Sequence, residues 1–275
     1  MAGHCTDIIR PVQLTGIEGK AAVVTGAGQG LGEAIALALG AAGASVACAD
    51  RNLQTARRTA ATIEEHGGKG LAVEVDVSRR PSVQSMVAAV RAAFGGVDIL
   101  VNVAGILRVG PVLELTDEQW DDTFAVNAKG VFLCSQEAGK VMVERGGGAI
   151  VNIASNAALV PRIDQGAYCA SKAAVAHLTR CFGLELADRR IRVNAVCPGI
   201  ARTPMQVELM QGSLGAEAAL VGGSPEKFRV GVPLRKMAEP ADVAGAVCWL
   251  VSDQAGHVTM QSIVVDGGGS LGVSS

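Results

Sequence analysis

Aromatic side chains are scarce: two tryptophans, five phenylalanines and one tyrosine make up 3% of the 275 residues. A core short of large rings must be filled by Ala, Val, Leu and Ile, and 35 glycines imply many tight turns. Net charge is also small, −2 at pH 7, which gives no electrostatic reason to expect nucleic acid or an anionic membrane as partner. No apolar run is long enough to span a bilayer, and MAGHCTDIIRPVQ has no apolar h-region, so neither a membrane anchor nor a signal peptide is expected. The seven cysteines include no CxxC pair and lie mostly in apolar runs. They read as reduced core residues of a cytoplasmic protein, with no metal site.

What is present is a chain 49% hydrophobic, enough for one large core. Residues 1–17 are expected to be a flexible leader, and residues 18–275 a single domain. From Gly19 onward, buried-strand patterns alternate with helical ones. KAAVVTG, ASVACAD, LAVEVDVS, VDILVNVAG, IVNIAS, RIRVNAVCPG and QSIVVDGG are the strand candidates. Seven strands with intervening helices predict an α/β fold, a doubly wound (Rossmann) domain with a seven-stranded parallel sheet and its ligand at the strands' carboxyl ends. Residues 203–230, with glycines and scattered Met and Leu, are expected to form a substrate lid.

Between the first strand and the Ala-rich helix stands TGAGQGLG, with Gly26, Gly28, Gly30 and Gly32. Absent side chains let a pyrophosphate approach the backbone, and a helix N-terminus offers free N–H groups and partial positive charge. The next strand ends in Asp50, eighteen residues beyond Gly32. A carboxylate there accepts hydrogen bonds from a ribose diol and repels a 2′-phosphate, which favours NAD over NADP. Arg51 follows at once and works against that preference. Asp76 and Val77 fall where an adenine would lie, and Asn102, Ala104 and Gly105 end a further strand with small residues that allow close approach.

Ser155 ends the IVNIAS strand, and Tyr168 and Lys172, four apart, share one face of the following helix. A hydroxyl, a phenol and an ammonium thereby meet at one edge of the fold. Tyrosine is a poor base with a pKa of about 10. An ammonium about 5 Å away at an effective dielectric near 20 would favour phenolate by roughly 3 kcal/mol, or about two units. That predicts Tyr168 as general base and Ser155 as hydrogen-bond donor to the reacting oxygen. Asn127 sits in the middle of a long helical pattern, either as a solvated residue or as a placed polar group.

TGAGQGLG, the NVAG strand end, Asn127, Ser155, Tyr168 with Lys172, and PG followed by Thr203 resemble the short-chain dehydrogenase/reductase family, from about Gly19 to Gly269. The resemblance implies an NAD-dependent oxidoreductase acting on a CH–OH group. It implies Tyr168 as acid/base, Ser155 orienting the substrate oxygen, Lys172 on the nicotinamide ribose and Asn127 holding a water of the proton relay. It also carries Gln29, Leu31, Pro198, Gly199 and Ile200 into the cofactor site, and implies a homotetramer. The segments GILRVG, ASNAALVPRIDQGAY, EKFRVGVPLRKMAEP and AGHVTMQSIVVDGGGSLGV are similar to the branch that dehydrogenates 2,3-dihydro-2,3-dihydroxybenzoate for catechol siderophores. The implied partner is a small carboxylated ring diol, with Arg162 and Arg108 as candidate carboxylate partners and Met205 and Gln206 near the ring. A general alcohol or 3-oxoacyl reductase, or a non-catalytic NADH-binding regulator, are the competing expectations.

Overall fold

The computed structural model describes residues 14–210 and 216–270. Seven short segments form β1 (Ala21–Thr25), β2 (Ser45–Asp50), β3 (Lys69–Glu74), β4 (Ile99–Asn102), β5 (Gly148–Ile153), β6 (Ile191–Pro198) and β7 (Ser262–Val265). They make one parallel sheet in the order β3-β2-β1-β4-β5-β6-β7. The inner strands, covered by helices on both faces, are largely apolar and stand out in the sequence as runs, whereas the edge strands β3 and β7 are only partly buried. The order reverses between β1 and β4, where Thr25 pairs with Asn102. Just beyond those carboxyl ends a crevice opens, as this topology requires.

Side chains alternate between the two faces of the sheet. Val24, Val46, Cys48 and Val101 face a layer of α1 (Gly30–Ala41), α2 (Leu53–Glu65) and α9 (Pro240–Val251), whereas Val23, Ala47, Leu100 and Ile150 face α3 (Arg80–Phe94) and α5 (Gly130–Arg145). Among the described residues no aromatic ring is fully buried, so both layers are aliphatic as composition requires. Of the cysteines, 48, 134, 197 and 248 are buried, Cys169 is partly so and Cys181 is exposed; Cys5 lies outside the described residues.

Two sequence expectations are refined. The last residues of the leader expected over 1–17 are packed on the domain: Ile17 is 1% exposed in the core, and Thr15 exchanges hydrogen bonds with Asp253 and Gln254; residues 1–13 lie outside the described residues. The long helix expected around Asn127 is α4 (Asp117–Phe124) running into α5 through a π-turn, Ala125–Lys129, with Asn127 at its centre. The Gly130 N–H reaches back to the Ala125 carbonyl, five residues away. Such a turn carries one extra residue, which rotates Asn127 inward instead of leaving it on the solvent side.

Residues 203–230 hold two short helices, α7 (Pro204–Met210) and α8 (Ala216–Gly222), and a two-stranded antiparallel ribbon, Gly223–Ser224 with Arg229–Val230. Residues of α7, α8 and the ribbon line the crevice together with Tyr168 and Lys172 of α6 (Gly166–Leu186).

Candidate active site

The crevice is a cleft of about 960 Å³. Gly26, Gln29, Gly30, Leu31 and Gly32 form part of its wall at the start of α1. Gly26 and Gly30 take φ of +69° and +60°, which only glycine adopts at little cost. At Gly32 an added Cβ would press into the carbonyl of Gly26, closing the loop's own turn. The Thr25 hydroxyl accepts the N–H groups of Val103 (3.1 Å) and Ala104 (3.3 Å), tying the ends of β1 and β4 together. A Cβ on Gly105 would stand 3.3 Å from Asn127 Oδ1 and 3.5 Å from Lys172 Nζ, so the absent side chain leaves room where the loop meets these groups. A bare backbone loop at a helix N-terminus fits the pyrophosphate of a dinucleotide.

Gly32→Ala separates this reading from simple helix propensity. Alanine should stabilise α1 by up to about 1 kcal/mol if only propensity mattered. The clash with Gly26 instead predicts at least a tenfold weaker NADH affinity with unchanged far-UV circular dichroism. A fluorescence titration beside a thermal melt checks this; unaltered affinity with a raised Tm would refute it.

Asp50 ends β2 beside that loop and accepts the N–H groups of Gly28 and Asn52, both at 2.9 Å. Arg51 is exposed at the rim. Asp76 and Val77 line the cleft from the turn after β3, where one Asp76 oxygen accepts from Ser78. Ala104 and Gly105 line it past β4, Pro198 at the end of β6 with Gly199, Ile200 and Thr203 past it, and Met205 and Gln206 from α7.

Two expected residues are elsewhere. Asn102 does not line the cleft: its side chain turns into the layer between sheet and helix, where Nδ2 donates to Ser135 Oγ (3.1 Å) and Asn152 Oδ1 (2.8 Å). Arg108 is exposed and outside the cleft lining, because the loop after β4 turns it to solvent.

Ser155, Tyr168 and Lys172 come together at one wall. Ser155, at the end of β5, accepts the Ala157 N–H at 3.1 Å. Tyr168 is half-buried on the first turn of α6. One turn on, Lys172 is buried; its ammonium donates to the Ile153 carbonyl at 2.8 Å and lies 5.8 Å from the centroid of the Tyr168 ring. Asn127 stands behind them, fully buried, with both N–H donors of its side chain engaged. Its Oδ1 accepts the Ile106 N–H (2.8 Å), and its Nδ2 donates to the Ile106 carbonyl (2.9 Å) and to Ser171 Oγ (3.0 Å). Ser171 in turn donates to the Tyr168 carbonyl at 2.8 Å. The π-turn, the loop after β4 and α6 are thus one hydrogen-bonded unit.

Electrostatics depart from the expectation drawn from spacing. Burial pushes the Tyr168 phenol above its ordinary value, opposed by a hydrogen bond with Ser155, and the Lys172 ammonium does not reverse it. Burial also pulls Lys172 down, to about 8. Spacing alone puts both groups in a screened medium; here desolvation of each exceeds their mutual effect.

Arg162, in the loop between β5 and α6, is half-buried in the cleft and donates to the Gly269 carbonyl at 3.5 Å. Burial pulls its guanidinium below the usual range. Arg229, on the ribbon, also lines the cleft, half-buried. Nothing local in the sequence marks it: two-residue strands have no periodicity to detect, and EKFRVG stands out only as part of a resemblance.

A family model for short chain dehydrogenases matches residues 20–213. The chain is 46% identical over 258 residues to a 2,3-dihydro-2,3-dihydroxybenzoate dehydrogenase of Bacillus subtilis (strain 168), covering 94% of this chain and 98% of that one. It is 43% identical over 255 residues to the enzyme of the same name from Escherichia coli (strain K12), covering 92% and 98%. Among solved structures, a 7α-hydroxysteroid dehydrogenase complexed with NADH and 7-oxoglycochenodeoxycholic acid superposes with a TM-score of 0.85 at 32% identity, covering 92% of this chain and 95% of that one. On this agreement of sequence and fold, the chain belongs to the short-chain dehydrogenase family.

Proposed function

We propose that the chain oxidises 2,3-dihydro-2,3-dihydroxybenzoate, a carboxylated cyclohexadiene diol, to 2,3-dihydroxybenzoate, with NAD preferred to NADP. The observation that carries the substrate class is Arg162, a half-buried cation in the same cleft as Ser155 and Tyr168. Two relatives that bear this activity in their names, at 46% and 43% identity, support it.

A nicotinamide dinucleotide bound in the cleft supplies the hydride acceptor. Asp50 accepts the ribose hydroxyls, the loop from Gly26 to Gly32 receives the pyrophosphate, and Asp76 and Val77 flank the adenine. Tyr168, as phenolate, takes the proton of the reacting hydroxyl while the carbinol carbon gives up its hydride. Ser155 donates a hydrogen bond to the reacting oxygen. The dienone so formed loses a ring proton and becomes aromatic, which draws the reaction forward. Lys172 holds the nicotinamide ribose and steadies the phenolate. Both Asn127 Nδ2 donors are used, but its Oδ1 accepts only the Ile106 N–H, so a relay water would be held at the remaining lone pair of Oδ1. Arg162 grips the carboxylate, Met205 and Gln206 touch the ring, and residues 203–230 act as lid.

Among the described residues no helix is long and apolar enough to cross a membrane, and a cytoplasmic setting agrees with the cysteine usage. A homotetramer is the expected assembly, supported by exposed apolar groups on the outer helices: Leu184 on α6 is 71% exposed, and Trp120 stacks on Phe124 of α4 at 4.5 Å.

The test is NAD reduction at 340 nm with the purified dihydrodiol. Turnover is expected, with NAD favoured over NADP at least tenfold in kcat/KM, about 1.4 kcal/mol. Equal use of both cofactors would show that Asp50 does not meet the ribose or that Arg51 dominates. Turnover of neutral diols alone would overturn the acidic substrate.

A further inference from the structure

Arg229 stands on the short ribbon over the cleft, paired across it with Ser224. Arg162 stands on the loop leading to α6, and both half-buried guanidinium groups line the same space. Among the described residues neither forms a salt bridge. Their cationic neighbours do: Lys227 reaches Asp164 at 3.1 Å, and Arg202 reaches Glu217 at 2.7 Å and Glu239 at 3.1 Å. Asp266 is the acid whose charge is felt at Arg162, but its carboxylate is already taken up by Asn156 (3.1 Å), Ser270 (2.6 Å) and the Gly268 N–H (2.9 Å). Glu226 is exposed.

Two cations facing one partly dry space without a counter-ion are costly unless an anion enters. Burial disfavours the charge on Arg229, and Arg162 repels it further. Among the described residues no acid forms an ion pair with either arginine, and the cleft is where an anion can reach both. Guanidinium groups suit the task, since each offers a planar fork to a carboxylate.

We propose that Arg162 and Arg229 together form a two-sided carboxylate subsite, in which Arg229 is the specificity-determining arm carried by the 223–230 ribbon. This rests on the reading of an acidic ring diol. Arg162 approaches from the wall that holds Tyr168 and Arg229 from the lid, so the acid bridges the two. Binding the carboxylate then also draws the ribbon onto the substrate.

The experiment is a binding titration of the NAD-loaded enzyme with 2,3-dihydroxybenzoate and with catechol, its neutral counterpart. Wild type should bind the acid at least tenfold more tightly than catechol. Arg229→Ala should weaken the acid at least tenfold and catechol less than twofold, and Arg229→Lys should recover part of the loss. In an Arg162→Ala background the Arg229→Ala loss should shrink, since one carboxylate serves both arms. If Arg229→Ala fails to fold, Arg229→Gln, which keeps the length and a hydrogen-bond donor, reads the same loss. Wild type preferring the acid while the Arg229 variants do too, undiminished, overturns the subsite and leaves the acidic reading intact. Equal wild-type affinity for acid and catechol overturns both.

Discussion

Tyr168→Phe is expected to lower the rate of diol oxidation by about 10²–10⁴-fold, the usual range for removing a positioned acid or base, while dinucleotide affinity changes by less than about threefold. The ring stays, so its packing against the cleft wall is kept, and only the proton acceptor goes. No other phenol can take over, because Tyr168 is the single tyrosine in the chain. The pH profile makes the assignment specific. Burial raises the phenol above its ordinary value, so in the free enzyme the phenolate is a minor species at neutral pH. Its population grows about tenfold per pH unit, and kcat/KM for oxidation should climb accordingly through neutral pH. Near pH 8 the climb should bend, because Lys172, at about 8, starts to lose the charge that supports the phenolate. Such neighbouring groups titrate as a pair, so the bend belongs to both. In Tyr168→Phe the residual rate should lose the climb. Full activity, or an unaltered pH slope in the variant, would remove Tyr168 from the mechanism.

How much of this was readable beforehand depends on which force decides each feature. The inner strands are buried on both faces and so are visible as apolar runs, whereas the edge strands β3 and β7 are only partly buried and stand out by β-branched residues and position. The glycine loop was visible because a positive φ at Gly26 and Gly30 leaves glycine little competition. Tyr168 and Lys172 share a helix face by period alone. Orientation at chain ends was less legible. Asn102 terminates its strand beside the cleft, but it turns away because Ser135 and Asn152 offer it partners inside, and those contacts are long-range. Arg108 and Arg162 are both loop arginines in sequence; only the folded loops send one to solvent and the other into the cleft. The π-turn at Asn127 follows from an accommodation of one residue that no local propensity announces. Charge was the hardest to foresee. The spacing of Tyr168 and Lys172 says they are near, but the extent of burial decides whether desolvation outweighs what each does to the other.

Lys172→Met is the second large effect, and its interest lies in separating function from stability. Turnover should fall by at least about a hundredfold, and dinucleotide affinity should fall with it, since the same ammonium is assigned to the ribose and to the phenolate. Stability should behave quite differently. Lys172 is held from its ordinary 10.5 down to about 8 by burial, so keeping it charged at pH 7 costs the fold about 3 kcal/mol. Its replacement removes that cost but leaves the Ile153 carbonyl without its donor, a loss of about 1–3 kcal/mol. At pH 7 the two nearly cancel, and the variant should be as stable as wild type or slightly more so. The sign changes with pH. A lysine whose folded pKa is depressed binds fewer protons in the folded state than in the unfolded state between about 8 and 10.5, so wild type gains stability as pH rises through that window. The variant has no such gain and still lacks the hydrogen bond. By pH 10 it should therefore be the less stable of the two, and denaturant midpoints of the cofactor-free proteins should cross between pH 7 and pH 10. Equal destabilisation of the variant at both pH values would mean that Lys172 is an ordinary structural cation, and turnover close to wild type would remove it from the active site altogether. The crossing is the more informative result, because only a charge held in the site against its solvation cost produces it.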